Sequence, residues 1–267
     1  MSWYDGLKCR VKWGNEFSDW FTILAGVRQG GVLSPDLYSI YVDELIRHLI
    51  LQGKGCYIYG LFAAALFYAD DMAIIAPSIK GLQSLLDSCA AYCCEWDICL
   101  NVKKTKCLYF GKKCEHLHSL SVDGKDVDWV EEWTYLGVLL KSATGFNCSI
   151  SERIKKFYRC ANAIFRIDGY SDELVMLQLA ESHCIPLLTY AIEIVHVNNR
   201  DERRQLRVAY NSVFRKIFGY RWSQSVSELQ KFLGRPTWED LVDSRKAGFL
   251  KRTKDSSVNA LACAFLS

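Results

Sequence analysis

The chain has 267 residues, half of them hydrophobic and 24% charged, which excludes a disordered or low-complexity protein and gives enough length for one large or two smaller cores. The formal net charge of +3 is unevenly spread: residues 1–150 carry 14 Lys+Arg against 17 Asp+Glu, and residues 151–267 carry 19 against 13. No run of about 18 uncharged apolar residues occurs, so no membrane span is expected.

The N-terminal Met1-Ser2-Trp3-Tyr4-Asp5 lacks the basic region and apolar core of a secretory leader, so the 12 cysteines are expected as free thiols in a reducing, intracellular compartment, cytoplasm or nucleus. Cys107, Cys114, His116 and His118 form no common zinc-ligand spacing. Cys89 and Cys93, four apart on an apolar helical face, read as small core residues.

In chain order, residues 7–24 read as a β-hairpin turning at Gly14-Asn15. Gly26-Val27-Arg28-Gln29-Gly30-Gly31 follows, a glycine-rich loop whose backbone can approach a ligand, or a plain strand-to-helix connector. Ser34 is the expected N-cap and Pro35 the first residue of a helix running to about Leu51. Ile58 to Ala76 is apolar except for Asp70-Asp71, and reads as a strand over Leu61 to Tyr68, a tight turn at the Asp pair, and a return strand over Ala73 to Ala76. Two adjacent carboxylates in such surroundings need a compensating charge, and a hairpin tip bearing them suits Mg²⁺, a cation that prefers oxygen ligands. A surface turn explains the same dipeptide equally well, since Asp is a common turn residue.

A helix is predicted after Pro77-Ser78 with Leu82, Leu85, Leu86, Cys89, Cys93 and Trp96 on its buried face. Lys103, Lys104 and Lys106 then precede a strand over Cys107 to Phe110, facing either phosphate or solvent. Leu120 to Val122 leads into a turn at Asp123-Gly124, and Trp133 to Leu140 reads as one more strand. From about Ile150 the pattern becomes helical and basic. Expected helices carry Ile154/Phe157/Ala161/Phe165, Leu174 to Val195 with a kink at Pro186, Leu206/Tyr210/Val213/Ile217, Val226 to Leu233, and Trp238 to Lys251.

Four pieces occur in a fixed order: GVRQGGVLSP opening a helix, FYADDM, NVKKT and YLGV. Together they resemble the palm of reverse transcriptases, specifically those of non-LTR (LINE-type) retrotransposons; Arg28 and the Y-A-D-D form point there. The resemblance is strong from Trp3 to about Leu140. It implies an α+β fold, an incomplete polymerase palm of antiparallel strands and packed helices over residues 1–147, followed by an all-α thumb-like region over 148–267.

The same resemblance implies roles. Asp70 is the expected metal-binding carboxylate, with Asp71 a supporting ligand, and both belong to the catalytic group together with Lys104, which would sit near the pyrophosphate leaving group. Arg28, Gln29, Gly30 and Tyr68 would line the nascent base pair and template. Tyr135, Leu136 and Gly137 resemble the primer-grip hairpin. Mg²⁺ is the implied cofactor, and RNA template, DNA primer and dNTP the implied partners.

One departure matters. The family places a further Asp on an earlier strand, in a segment resembling F-x-D-x-x-K-A-F-D, and neither Asp5 nor Asp19 has that context. The expectation is therefore the C-terminal part of a reverse transcriptase, inactive alone, whose remainder belongs to the same polyprotein. Without the partner strand the Asp pair should bind Mg²⁺ weakly and either share a proton or seek solvent. The alternative is a non-catalytic nucleic-acid-binding module derived from such an element, carried by the basic second half.

Overall fold

The structure is a computed structural model and describes residues 6–24, 26, 30–112, 117–145, 147–166, 172–195 and 200–255. These residues form a mixed α+β chain with short strands and eight helices, dividing into two compact units. One unit comprises Met1–Val102 with Leu120–Asp126, the other Lys103–Ser119 with Val127–Ser267.

The first unit opens with four short strands, β1 (Lys8–Cys9), β2 (Lys12–Trp13), β3 (Glu16–Phe17) and β4 (Phe21–Thr22). Strands β2 and β3 pair antiparallel around Gly14, whose φ of +62° costs a glycine little, and β1 pairs with β4. The Gly14-Asn15 turn signal thus marks the inner of two nested pairings.

Helix α1 (Ser34–Leu51) begins one residue earlier than its sequence signals suggest. Leu33 already has helical φ and ψ, so it occupies the cap without a side-chain hydrogen bond, and Ser34 is the first helical residue, not the N-cap. Pro35 in the first turn costs nothing, because an N–H at that position has no intrahelical partner. The buried stripe of α1 is Val42, Leu45 and Leu49, while Ile40 is exposed.

Strands β5 (Tyr57–Ile58) and β6 (Leu61–Phe62) form a small hairpin, and β7 (Ala65–Tyr68) and β8 (Asp71–Ile74) form a second. The single strand expected over Leu61 to Tyr68 is therefore split, with Ala63 and Ala64 buried at the break. Helix α2 (Ile79–Glu95) is capped by Ser78, whose hydroxyl accepts from Gly81 N at 3.1 Å.

Leu45, Leu49, Ala64, Leu85, Cys89 and Tyr92 make the core of this unit, with Phe67 and Met72 packed against it. Burying a leucine such as Leu49 or Leu85 stabilises by roughly 1.5–3 kcal/mol. Helices α1 and α2 are also cross-tied. Tyr92 Oη donates to Tyr41 O at 2.8 Å, and Tyr41 Oη donates to Trp96 O at 2.5 Å. The amide of Gln83 on α2 holds Ser121 at both backbone groups, at 2.9 Å each.

In the second unit, β9 (Lys106–Cys107) is shorter than the strand expected over Cys107 to Phe110. Strand β10 (Leu120–Val122), which belongs to the first unit, precedes the Asp123-Gly124 turn, at which both residues have positive φ. Strand β11 (Lys125–Trp129) follows, and its Asp128 and Trp129 pair in parallel with β9. Strands β12 (Glu132–Tyr135), β13 (Val138–Lys141) and β14 (Asn147–Ser149) form an antiparallel sheet. The chain from Trp133 to Leu140 is thus a hairpin, not one strand. Apolar alternation is blind to a turn made of Leu136 and Gly137.

Six helices follow: α3 (Ser151–Phe165), α4 (Glu173–His183), α5 (Ile185–Thr189), α6 (Arg200–Ile217), α7 (Ser227–Phe232) and α8 (Trp238–Asp255). The helix expected over Leu174 to Val195 breaks at Cys184, two residues before Pro186, because a proline removes an interior donor and crowds the preceding turn. Phe157, Ala161, Leu177, Leu188, Leu206, Tyr210, Val213 and Phe214 lie in one core. Tyr210 Oη donates to Pro236 O at 2.8 Å, which keeps the buried phenol satisfied.

Candidate active site

The β7–β8 hairpin positions the Asp pair. Its register opposes Phe67 with Met72 and Tyr68 with Asp71, so the turn consists of Ala69 and Asp70 only. Phe67 and Met72 face the core, and by alternation Tyr68 and Asp71 face solvent; Tyr68 is 66% exposed. The return strand therefore begins at Asp71, two residues before the expected Ala73. Ala69 has φ of +51°, a region that costs a non-glycine residue roughly 1–2 kcal/mol.

Both Asp70 and Asp71 are exposed. The apolar run that carries them does not enclose them: Asp70 sits in the two-residue turn beyond the last cross-strand pair, and Asp71, within that pair, lies on the solvent-facing side of the hairpin. Of the two outcomes expected for an uncompensated pair, the structure realises contact with solvent. Asp70 also lines a small cleft with Tyr38, Val42, Leu45, Phe67, Met72, Cys93, Ile98 and Leu100.

Tyr38 is the one phenol in that lining, and sequence reasoning missed it. Burial pushes its pKa up, with the negative charges of Cys93 thiolate and Asp70 adding to the effect. Its signal was the i, i+4, i+7 spacing with Val42 and Leu45, which turns a polar aromatic toward the buried stripe of α1.

In the glycine loop, Gly26 and Gly30 have φ of +93° and +77°, and a Cβ on either would meet nothing within 4 Å. Backbone conformation, not crowding, requires glycine there. Arg28 and Gln29 lie outside the described residues, as do Cys114 and His116 of the cysteine–histidine cluster.

The remaining candidates belong to the second unit. Lys104 is exposed in the turn that precedes β9. Lys106 is committed elsewhere, its ammonium 2.5 Å from Asp128 Oδ2, so the three lysines do not act as one phosphate-facing set. Tyr135, Leu136 and Gly137 form the end of β12 and the turn into β13. Tyr135 opposes Val138, and Leu136 and Gly137 have φ of +46° and +76°, the signs of a type I′ turn. The Tyr190 hydroxyl donates to Leu136 O at 2.7 Å.

Among the described residues no group of three or more His, Cys, Asp or Glu side chains could hold a metal ion. Asp70 and Asp71 still suit a hard cation, since Mg²⁺ is commonly held by one or two carboxylates completed by water and substrate phosphates. The ten described cysteines are all free thiols. No described helix is long and apolar enough to cross a membrane.

The β7–β8 strand–turn–strand thus presents two adjacent aspartates at the surface of the first unit. The family Reverse transcriptase (RNA-dependent DNA polymerase) matches residues 2–140, and the chain belongs to that family. Its relatives are polymerases of LINE-type mobile elements. The RNA-directed DNA polymerase from mobile element jockey of Drosophila funebris is 26% identical over 97% of this chain and 28% of its own length. The probable RNA-directed DNA polymerase from transposon BS of Drosophila melanogaster is 23% identical over 95% of this chain and 29% of its own. The retrovirus-related Pol polyprotein from type-2 retrotransposable element R2DM of the same fly is 30% identical, over 51% of this chain and 14% of its own. The chain thus spans under a third of the length of these relatives.

Proposed function

We propose that residues 1–147 are palm and residues 148–267 a thumb-like helical region of an RNA-directed DNA polymerase, with Asp70 and Asp71 as Mg²⁺ ligands. The observation that carries this reading is the β7–β8 tip, where both carboxylates stand in solvent with no cation of the protein paired to them among the described ion pairs. When bound, Mg²⁺ would lower the barrier by drawing charge from the attacking 3′-hydroxyl and the leaving phosphate oxygens. The protein's own part is placement. Asp70 and Asp71 hold cation positions, and Arg28, Gln29, Gly30 and Tyr68 take the role of lining template and nucleotide. Lys104 offers a proton and a positive charge to the leaving pyrophosphate. Tyr135, Leu136 and Gly137 hold the primer end. RNA template, DNA primer and dNTP are the partners in this reading.

Two carboxylates are a partial ligand set, and the sequence holds no second Asp in the F-x-D-x-x-K-A-F-D context. In our reading the 267-residue chain by itself binds Mg²⁺ weakly and does not extend a primer. Mn²⁺ titration followed by NMR tests the site directly: broadening should centre on Ala69–Asp71 and vanish in Asp70→Ala. Broadening that ignores this substitution would sink the metal assignment. Mg²⁺-dependent extension of a DNA primer on RNA, lost in Asp70→Ala, would overturn the inactivity while keeping the metal site.

A non-catalytic reading draws on the excess of Lys+Arg, 19 against 13 Asp+Glu, in residues 151–267. It requires salt-sensitive, sequence-independent duplex binding that Asp70→Ala leaves unchanged.

A further inference from the structure

The Leu136–Gly137 turn is built against local preference. Type I′ turns favour Asn, Asp or Gly at the first central position, and here a leucine is held at φ of +46°. Something outside the hairpin must hold it, and one side chain touches both turn residues. Tyr190 Oη donates to Leu136 O at 2.7 Å, and the Tyr190 ring lies so close to Gly137 that a Cβ there would stand 3.2 Å from Cε1.

Tyr190 is in turn fixed from below. It follows α5, where Leu188 and Thr189 are 0% and 1% exposed and the Thr189 hydroxyl donates to Ile185 O at 3.0 Å. Ile192, two residues on, is 2% exposed, and Ala191 between them has φ of +52°. A tyrosine flanked by anchored residues is nevertheless 52% exposed.

We propose that Tyr190 is a positioning residue that latches the Leu136–Gly137 turn, so that its hydroxyl sets where the primer's 3′ end rests. The latch rests on the primer-grip reading of that turn. The hydroxyl fills the outward-pointing carbonyl of Leu136, which the two-residue turn leaves without a cross-strand donor. The ring closes the space above Gly137, so a side chain at position 137 would have to push the ring aside as well as adopt a left-handed φ.

Tyr190→Phe in the full chain removes the hydroxyl and keeps the ring. Amide exchange at Gly137 and Val138 should quicken about fivefold, the worth of one ordinary hydrogen bond. With a DNA primer on an RNA template, a fluorescent base at the primer's 3′ terminus should lose most of its protein-induced change at saturation. The same base placed inside the duplex should not, and overall affinity by anisotropy should hold, a split that a merely structural tyrosine would not produce. Unchanged amide exchange overturns the latch. Faster exchange with an unchanged terminal signal also overturns it, and Gly137→Ala, which disturbs the turn directly, then separates the causes. If Gly137→Ala abolishes the terminal signal, the turn grips the primer without help from Tyr190; if it does not, the primer-grip reading falls too.

Discussion

The two hairpins that carry the candidate residues solve the same geometric problem differently. Each joins its strands through two residues, and each places a non-glycine residue at positive φ, Ala69 in one and Leu136 in the other. Leu136 is answered by a tyrosine reaching in from another element, whereas Ala69 stands at an open tip whose following residue, Asp70, is exposed. The difference suits the proposed tasks. A tip that takes up cations and phosphates must stay uncovered, and a turn that supports a primer end must not yield.

Substitutions should expose this contrast unequally. The largest effect is expected at Gly137→Val, where a β-branched residue meets both the left-handed φ and the Tyr190 ring; urea unfolding should report a loss of about 2–4 kcal/mol. Ala69→Val, strained but uncrowded, should cost distinctly less. Equal losses at the two sites would remove the distinction.

Alkali should also separate the two hairpins, through the thiols behind them. Cys89 lies 4.0 Å from Met72 behind the first, and burial pushes its pKa from 9.0 up to about 12. Cys148 pairs with Leu140 behind the second; burial raises its pKa, and the Arg153 charge partly opposes the rise. A thiol whose folded pKa is raised stabilises below its unfolded value, and that contribution is lost as pH climbs through the folded value. Stability should therefore decline from about pH 9 toward pH 12, more for the first hairpin's surroundings than for the second's. Exchange measured residue by residue from pH 8 to pH 10 would reveal an opposite order if the burial argument is wrong.

Smaller effects come next. Ala69→Gly relieves the left-handed strain and should stabilise by about 1 kcal/mol, read as a raised urea midpoint. Asp70→Ala and Asp71→Ala should each change stability by less than about 0.5 kcal/mol, since both side chains are exposed, while abolishing Mn²⁺ broadening at the tip. A large destabilisation by either would mean that these carboxylates hold the hairpin together.

Much of this was legible in the residues. Ser78 before α2, Gly14-Asn15 and Asp123-Gly124 each carry local chemistry that fixes a cap or turn, and the ordered motifs identified the family. Other details depended on what the local pattern does not show. Leu136 gives no turn signal, since its conformation depends on Tyr190, 54 positions away. The Asp pair was read at a tight turn, and the register refines this by putting Asp70 in the turn and Asp71 in the last cross-strand pair. Ser34 looked like a cap, but Leu33 had already entered the helix. Tyr38 escaped because its interest lies in sharing a cleft with Asp70, which spacing within α1 does not reveal.

Gln83 carries a consequence of another kind. Its side-chain amide accepts from Ser121 N and donates to Ser121 O, the same two bonds that a neighbouring β-strand would offer. The outer rim of Leu120–Val122 is thereby closed by a helix residue imitating a backbone. Rims left open invite pairing with other chains. Gln83→Leu is therefore expected to reopen that rim, and greater self-association by light scattering would show it.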